Sequence, residues 1–278
     1  MNWPEFQHEA MATTFALVIA DQPADYARQA AAATWRELDR LEGELSRYVE
    51  TSDIARANRL ARGETIAIGD DALECLLLAA EVAVATDRAF DCAYASARDA
   101  AEVPFTLDPG AHTLTSHAAR LHLDLGAIGK GYALDRLAAL LREWEINCAC
   151  LHGGGSTALA LAPPAGRTGW PIGLGDGAPR RVLPLANVAL SGSGVAVKGP
   201  HLIDPRTAAP AARARRAWAL APTAALSDAL STAFFVMTDA TVAAFCAGRA
   251  DLGAALATAD NSLVTHGTLG LIVANARS

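Results

Sequence analysis

The stretch DLGAIGKGYALD, residues 124–135, constrains this chain more than any other. The alternating run HLDL leads into a turn bearing Gly126, Gly129 and Gly131. Residues 131–144 then have helical spacing, and CACLHG reads as a strand. A strand, glycine turn, helix and strand in succession need a sheet for the strands and a helix laid over it. Residues 10–20 read as another strand. Residues 23–47 read as a helix with Ala27, Ala31, Trp35, Leu38, Leu41 and Leu45 on one stripe. A loop follows, then a short helix for which Ser52 is the N-cap candidate, and 70–87 is a further helix. Pro104, Pro109 and Gly110 make 100–118 irregular. Short strands are expected near 171–174, 182–191, 201–203 and 218–222. LSDALSTAFFVMT is expected to be a helix that ATVAAFCAGR continues, and LGLIVANA a closing strand. The expectation is a mixed α+β fold, with helices covering antiparallel or mixed sheets.

Apolar residues make up 52% of the 278 and charged residues 19%, which suffices for a sizeable core and excludes a disordered chain. The formal net charge of −7 argues against a sequence-independent nucleic-acid binder, which needs a basic face. An anionic ligand would need local help from a metal ion or a few placed cations. No basic-then-apolar leader opens the chain, and its apolar stretches are broken well short of a membrane span, so a cytoplasmic protein without a membrane segment is expected. Five cysteines form no even framework and read as free buried thiols.

Three segments carry chemistry. The glycines of 124–135 fit neither a dinucleotide fingerprint nor a P-loop. They still let backbone approach a ligand, the next helix offers its N-terminus to an anion, and Lys130 adds a charge. A plain strand-to-helix reversal with a solvated lysine fits the same residues. In SDALST, Asp228 and Thr232 lie four apart and share a helix face, an oxygen pair suited to Mg²⁺; Ser227 capping a helix start is the other reading. In HLIDPRTAAP, His201, Asp204 and Arg206 sit on a proline-bounded turn, with His201 a general-base candidate or part of a solvated loop. Cys148, Cys150 and His152 share a strand face, but the outer two lie about 13 Å apart, too far for one Zn²⁺.

The segments MATTF, LSRYVETSDIARAN, AFD, DLGAIGKGYALD, LHGGG, SGSG, HLIDPRT and SDALST occur in this order. Together they resemble the FAD:protein FMN transferase (ApbE-like) family from about Met11 to the C-terminal end. The resemblance implies one T-fold-like domain over 1–278. It also implies Mg²⁺-dependent transfer of the FMN half of FAD to a threonine hydroxyl of an acceptor flavoprotein, with release of AMP. The implied acceptor motif is of the Ser/Thr-Gly-Ala/Ser-Thr type. Hydrolysis of FAD to FMN and AMP, or FAD binding without turnover, are the alternatives. Position by position, Met11, Tyr48, Ala89, Phe90, Asp91, Asp124, Lys130 and Ile203 would contact FAD. The Ala127 carbonyl, Asp228, Ser231 and Thr232 would hold Mg²⁺, and His201 would be the base. Ala208 stands where the family usually has glycine, and the segments after FD and before His201 are short.

Overall fold

The computed structural model describes residues 3–97, 103–175, 181–194, 203–207, 209–211, 215–258 and 262–275. An N-terminal hairpin, β1 (Glu5–Ala10) and β2 (Thr13–Ile19), leads into α1 (Ala24–Leu45), α2 (Asp53–Ala57), β3 (Thr65–Ala67) and α3 (Asp70–Ala85). Next come β4 (Phe105–Asp108), β5 (Thr113–Ser116), α4 (Gly129–Glu143), β6 (Ala149–Gly153), β7 (Thr157–Ala160), β8 (Trp170–Leu174) and β9 (Arg181–Leu185). The remainder is β10 (Val188–Gly194), β11 (Ile203–Asp204), β12 (Ala209–Pro210), β13 (Arg216–Ala221), α5 (Ala224–Val236), α6 (Asp239–Cys246), β14 (Gly253–Ala257), β15 (Leu263–His266) and α7 (Gly267–Asn275).

The main sheet has the order β1-β2-β6-β7-β10-β13-β14-β15, and its neighbours pair antiparallel. Alternation along the strands sends Phe15, Leu17, Leu151, Leu159, Ala189, Ala217 and Ala219 to one face, against α4 and α5. Helices α1 and α3 pack on α4 and α5 in turn. The other face carries Ala158, Leu190, Trp218 and Ala255, covered by the β8–β9 hairpin and α7. The fold is therefore mixed α+β with helices over an antiparallel sheet. Among the described residues, no helix is long and apolar enough to cross a membrane.

Several local expectations needed correction. The N-terminal strand is two strands, turned at Met11 and Ala12, whose φ values are +50° and +57°. HLDL forms no strand: Asn58 takes its place in the ladder, accepting from Leu123 N at 2.6 Å and donating to Leu123 O at 2.9 Å. Residues 100–118 contain the β4–β5 hairpin, whose turn is held by Asp108 Oδ1 accepting from Gly110 N and Ala111 N. A positive φ at Asn187 divides 182–191 into β9 and β10. The described part of LGLIVANA, Leu269–Asn275, is not a strand but belongs to α7, with Leu269 and Val273 buried one turn apart. Helix α5 stops at Val236, and α6 restarts with Thr238 Oγ1 accepting from Thr241 N.

Helix α5 is buried along almost its whole length, and Asp228 is its only charged residue. Thr223, not Ser227, is its N-cap. Ser227 instead donates to Ala219 O at 2.7 Å and ties the helix to β13. The first N–H groups of α5 face α4, where Asp135 accepts from Ala224 N and Ala225 N, both at 2.8 Å. A carboxylate thus answers donors that a helix start otherwise leaves unpaired.

Burial pushes the Asp135 carboxyl up to about 6, against the pull of the two N–H groups and Arg142. Its folded value lies above the ordinary 3.8, so its contribution to stability is full below about pH 4 and is lost as pH rises through 6. Asp135→Asn removes that titration. Between pH 4 and 7 the difference in unfolding free energy should shift in the variant's favour by about 3 kcal/mol, read from urea unfolding at several pH values. A difference that stays flat across this window would contradict the assignment.

Candidate active site

Asp228 lies one turn into α5 and is 3% exposed. A carboxylate this deep needs donors, and the chain supplies them from two elements, α4 and β7. Its Oδ2 accepts from Lys130 Nζ at 3.0 Å and Gly131 N at 3.2 Å, both from the start of α4. Its Oδ1 accepts from Thr157 Oγ1 of β7 at 3.2 Å, with Lys130 Nζ at 3.4 Å. Lys130 also donates to Gly126 O at 3.3 Å, which folds the turn back over its own lysine.

This meeting depends on Gly131. A Cβ there would stand 2.1 Å from Ala224 O and 2.7 Å from Ala225 N. Only a residue without a side chain lets α4 seat directly on the end of α5. Gly153 at the end of β6 faces the base of Lys130, at 3.6 Å from an added Cβ to Lys130 Cβ. Gly154 has φ +62°, and a Cβ there would meet Thr13 Oγ1 at 2.6 Å. The partner that approaches this glycine-rich strand end is therefore the β1–β2 hairpin of the chain itself.

Hydroxyls continue the polar seam along α5. Ser193 of β10 lies with its Oγ 2.8 Å from Ser231 Oγ and 3.0 Å from Thr232 Oγ1. Ser231 Oγ also donates to Asp228 O at 2.8 Å. Ser191, two residues before Ser193 and paired in register with Thr157, is fully buried, and its Oγ has no hydrogen-bond partner among the described residues. The donor set is one carboxylate and several hydroxyls, all oxygen. That set suits a hard cation such as Mg²⁺ and offers nothing to a soft metal. Among the described residues, no group of three or more His, Cys, Asp or Glu side chains is placed to hold a metal, so a cation here would rest on Asp228 plus hydroxyl and carbonyl oxygens. Ala127 stands in the turn just after Gly126, three residues before Lys130 in the first turn of α4.

The remaining candidates fall in neighbouring turns. Asp124 N donates to Cys92 O at 2.8 Å, which sets the AFD segment beside the DLGAIGK turn. Asp124 Oδ1 accepts from Gly126 N at 2.8 Å, and its Oδ2 pairs with Arg47 Nε at 3.3 Å. Ala89 and Phe90 are buried in the core, backbone and side chain alike. Asp91 pairs with Arg88 and accepts from Ala93 N. Met11 N donates to Glu42 Oε1 at 2.8 Å, fixing the β1–β2 turn on α1. Tyr48 is 78% exposed and Ile203 37%. Beyond Ile203, Arg206 forks onto Asp204 at 2.9 Å on both oxygens. Those bonds raise Arg206 above its ordinary value, and the charges of Asp204 and Asp87 raise it further. His201 and Ala208 lie outside the described residues. Cys92 and Cys150 are pushed up to about 12 by burial, so neither is a thiolate at neutral pH.

Residue type and spacing alone do not single out Thr157, Ser193, Ser191, Arg47 or Asp135. Ser191 and Ser193 did carry a signal, since residues two apart on a strand share a face. Arg47, Thr157 and Asp135 show their roles only once the elements are packed.

The family model described as ApbE family matches residues 11–256. An FAD:protein FMN transferase of Treponema pallidum (strain Nichols) is 31% identical over 147 residues, taking in 45% of this chain and 41% of that protein. The chain thus spans well under two thirds of the length of that curated relative. A flavin transferase ApbE from Vibrio cholerae superposes with TM-score 0.84 at 19% identity, covering 98% of this chain and 100% of that one. The apo form of Pseudomonas stutzeri flavinyl transferase ApbE gives 0.82 at 19% identity, with 98% and 96% covered. The ApbE protein of Thermotoga maritima gives 0.82 at 23%, with 98% and 99% covered. At these identities the structural likeness bears on the fold.

Gly131→Ala should destabilise the protein by about 1–3 kcal/mol, because the added methyl must push α4 off α5. A Cβ at Gly155 would meet nothing within 4 Å. Gly155→Ala should therefore stay within about 0.5 kcal/mol of wild type. Denaturant unfolding of the two variants side by side checks this, and equal stabilities would refute the packing role of Gly131.

Proposed function

Since this chain belongs to the ApbE family, we propose that it transfers the FMN moiety of FAD to a threonine hydroxyl of an acceptor flavoprotein and releases AMP. The observation that carries this reading is the Lys130–Asp228 pair at 3.0 Å, walled by hydroxyls on β7, β10 and α5. One point of the molecule holds an ammonium that suits a diphosphate and an all-oxygen cradle that suits a divalent cation. The whole of 1–278 is taken as one domain, since the main core draws side chains from Ala10 to Leu256.

In this reading Met11, Tyr48, Ala89, Phe90, Asp91 and Ile203 bound the flavin nucleotide, and Asp124 and Lys130 grip it at the DLGAIGK turn. Asp228, Thr232, Ser231 and the Ala127 carbonyl would hold Mg²⁺, which when bound neutralises diphosphate oxygens and stabilises the leaving AMP. Lys130 Nζ is directed at Asp228 and at Gly126 O, so it would have to turn from them to reach a phosphate. Its position at the first turn of α4 lets the flexible arm swing while the backbone stays fixed by Gly131. Phosphoryl-type transfer asks for positioning and charge stabilisation rather than covalent chemistry by the protein. The acceptor Oγ forms a bond to the FMN phosphorus. The P–O bond to the AMP phosphate breaks, and its electron pair stays with AMP. The acceptor proton passes to His201 as general base.

The test combines purified protein, FAD, Mg²⁺ and an acceptor domain bearing a Ser/Thr-Gly-Ala/Ser-Thr-type motif. An acceptor band that fluoresces on a denaturing gel, with AMP released in equal amount, is expected. AMP and free FMN without a labelled acceptor would replace transfer by hydrolysis, and FAD binding without AMP would leave a binding protein. Asp228→Ala should lower turnover by roughly 100-fold or more, and Lys130→Met by a similar order. Full activity in Asp228→Ala would remove the metal assignment.

A further inference from the structure

Arg47 sits in the turn between α1 and α2, joined to two groups that the functional reading places against FAD. Its Nε pairs with Asp124 Oδ2 at 3.3 Å. Its guanidinium carbon lies 4.4 Å from the centre of the Tyr48 ring, and Nη2 donates to Tyr48 Oη at 2.5 Å. The turn that presents them is braced internally. Ser52 Oγ donates to Ser46 O at 2.6 Å while accepting from Ala55 N at 2.9 Å, Val49 N donates to Ser46 O, and Arg59 donates to Glu50 O at 3.0 Å. Tyr48 is nonetheless 78% exposed, the second most open large hydrophobic side chain among the described residues after Val84 at 82%. An open aromatic ring would ordinarily sample its rotamers freely. Here the guanidinium holds it from one side through cation–π contact and the phenol oxygen, and Asp124 holds the guanidinium.

We infer that Arg47 is a flavin-positioning residue: it fixes the Tyr48 ring as a platform, one side covered by the guanidinium and the rest open to a flat heteroaromatic ring. The inference rests on the functional reading above, in which the isoalloxazine of FAD is that ring. Arg47 acts by removing in advance the side-chain ordering that binding would otherwise require, so its loss should weaken the flavin half of the ligand and leave the adenosine half alone. Lysine cannot replace it, because an ammonium cannot bond Asp124, bond the phenol and lie flat over the ring at once.

The test measures FAD affinity by quenching of flavin fluorescence, with Mg²⁺ present, no acceptor, and the signal read within seconds of mixing. ADP affinity is measured by calorimetry on the same proteins. Arg47→Ala and Arg47→Lys should each weaken FAD roughly 3- to 10-fold and leave ADP unchanged. In a Tyr48→Ala background, Arg47→Ala should cause no further loss, since the platform it holds is gone. Equal weakening of FAD and ADP would make Arg47 a phosphate ligand and overturn the inference, as would additive losses in the double variant. Unchanged FAD affinity in Arg47→Ala, with wild type binding FAD, overturns this inference alone. A wild type that takes up ADP but no FAD overturns the functional reading together with it.

Discussion

The structure turns on one buried carboxylate. Asp228 is the sole charge on a helix that is otherwise packed on nearly every side, and leaving it unpaired would cost several kcal/mol. Its four contacts come from the α4 start and β7, so pairing it fixes how α4, α5 and the sheet meet. Gly131 allows the approach, its N–H supplies one bond, and Asp135 one turn later accepts from the first, buried N–H groups of α5. An apolar residue in place of Asp228 alone would leave Gly131 N, the Thr157 hydroxyl and Lys130 without this acceptor. Keeping a charge there, with hydroxyls rather than methyls around it, is what marks the seam as a site.

Charge is balanced locally as well as buried. Asp91 pairs with Arg88, Asp124 with Arg47, and Asp228 with Lys130. In a chain of net charge −7, these three pairs leave the turns near neutral. A diphosphate diester brings two negative charges into that balance. It can enter only if a cation leaves its carboxylate, or if a further cation enters too. Under the proposed function, a divalent ion on Asp228 would free Lys130 for the phosphates, and each ligand would then favour the other by the same free energy.

How much of this was legible depended on whether a residue's role is local. The long helices were, because α1 and α3 carry their apolar residues at helical spacing, and Ser52 does cap α2. The strand in CACLHG was also legible, and Asp228 and Thr232 do share a helix. What failed was decided from outside the segment. LGLIVANA has the composition of a strand, yet Gly253 and Gly267 let its described part, Leu269–Asn275, pack as a helix on β14. HLDL alternates like a strand, yet Asn58, 65 residues earlier, takes its backbone groups. Of the site, the motif residues were visible through their spacing and their resemblance to a family. Thr157, Ser193 and Arg47 were not, because a hydroxyl or guanidinium gains its meaning from a partner that is remote in sequence or stands out only in the folded turn.

The two readings open at DLGAIGKGYALD, a helix start that only reverses the chain and a loop that presents a cation, need not compete. Gly131 and Asp135 are four residues apart, so on α4 they share a face, and that face is the one seated on α5. Lys130 precedes Gly131 by one residue, about 100° around the helix, which turns it to the rim of the contact rather than its centre. There its ammonium reaches Asp228 while its stem runs past the end of β6. The spacing K-G-x-x-x-D is thus what helix geometry demands of a segment that must dock one helix on another and carry a movable cation at the edge of the joint. Any shift that loosened the packing would also misplace the charge, so the same few residues set both the fold of this region and the geometry of its site.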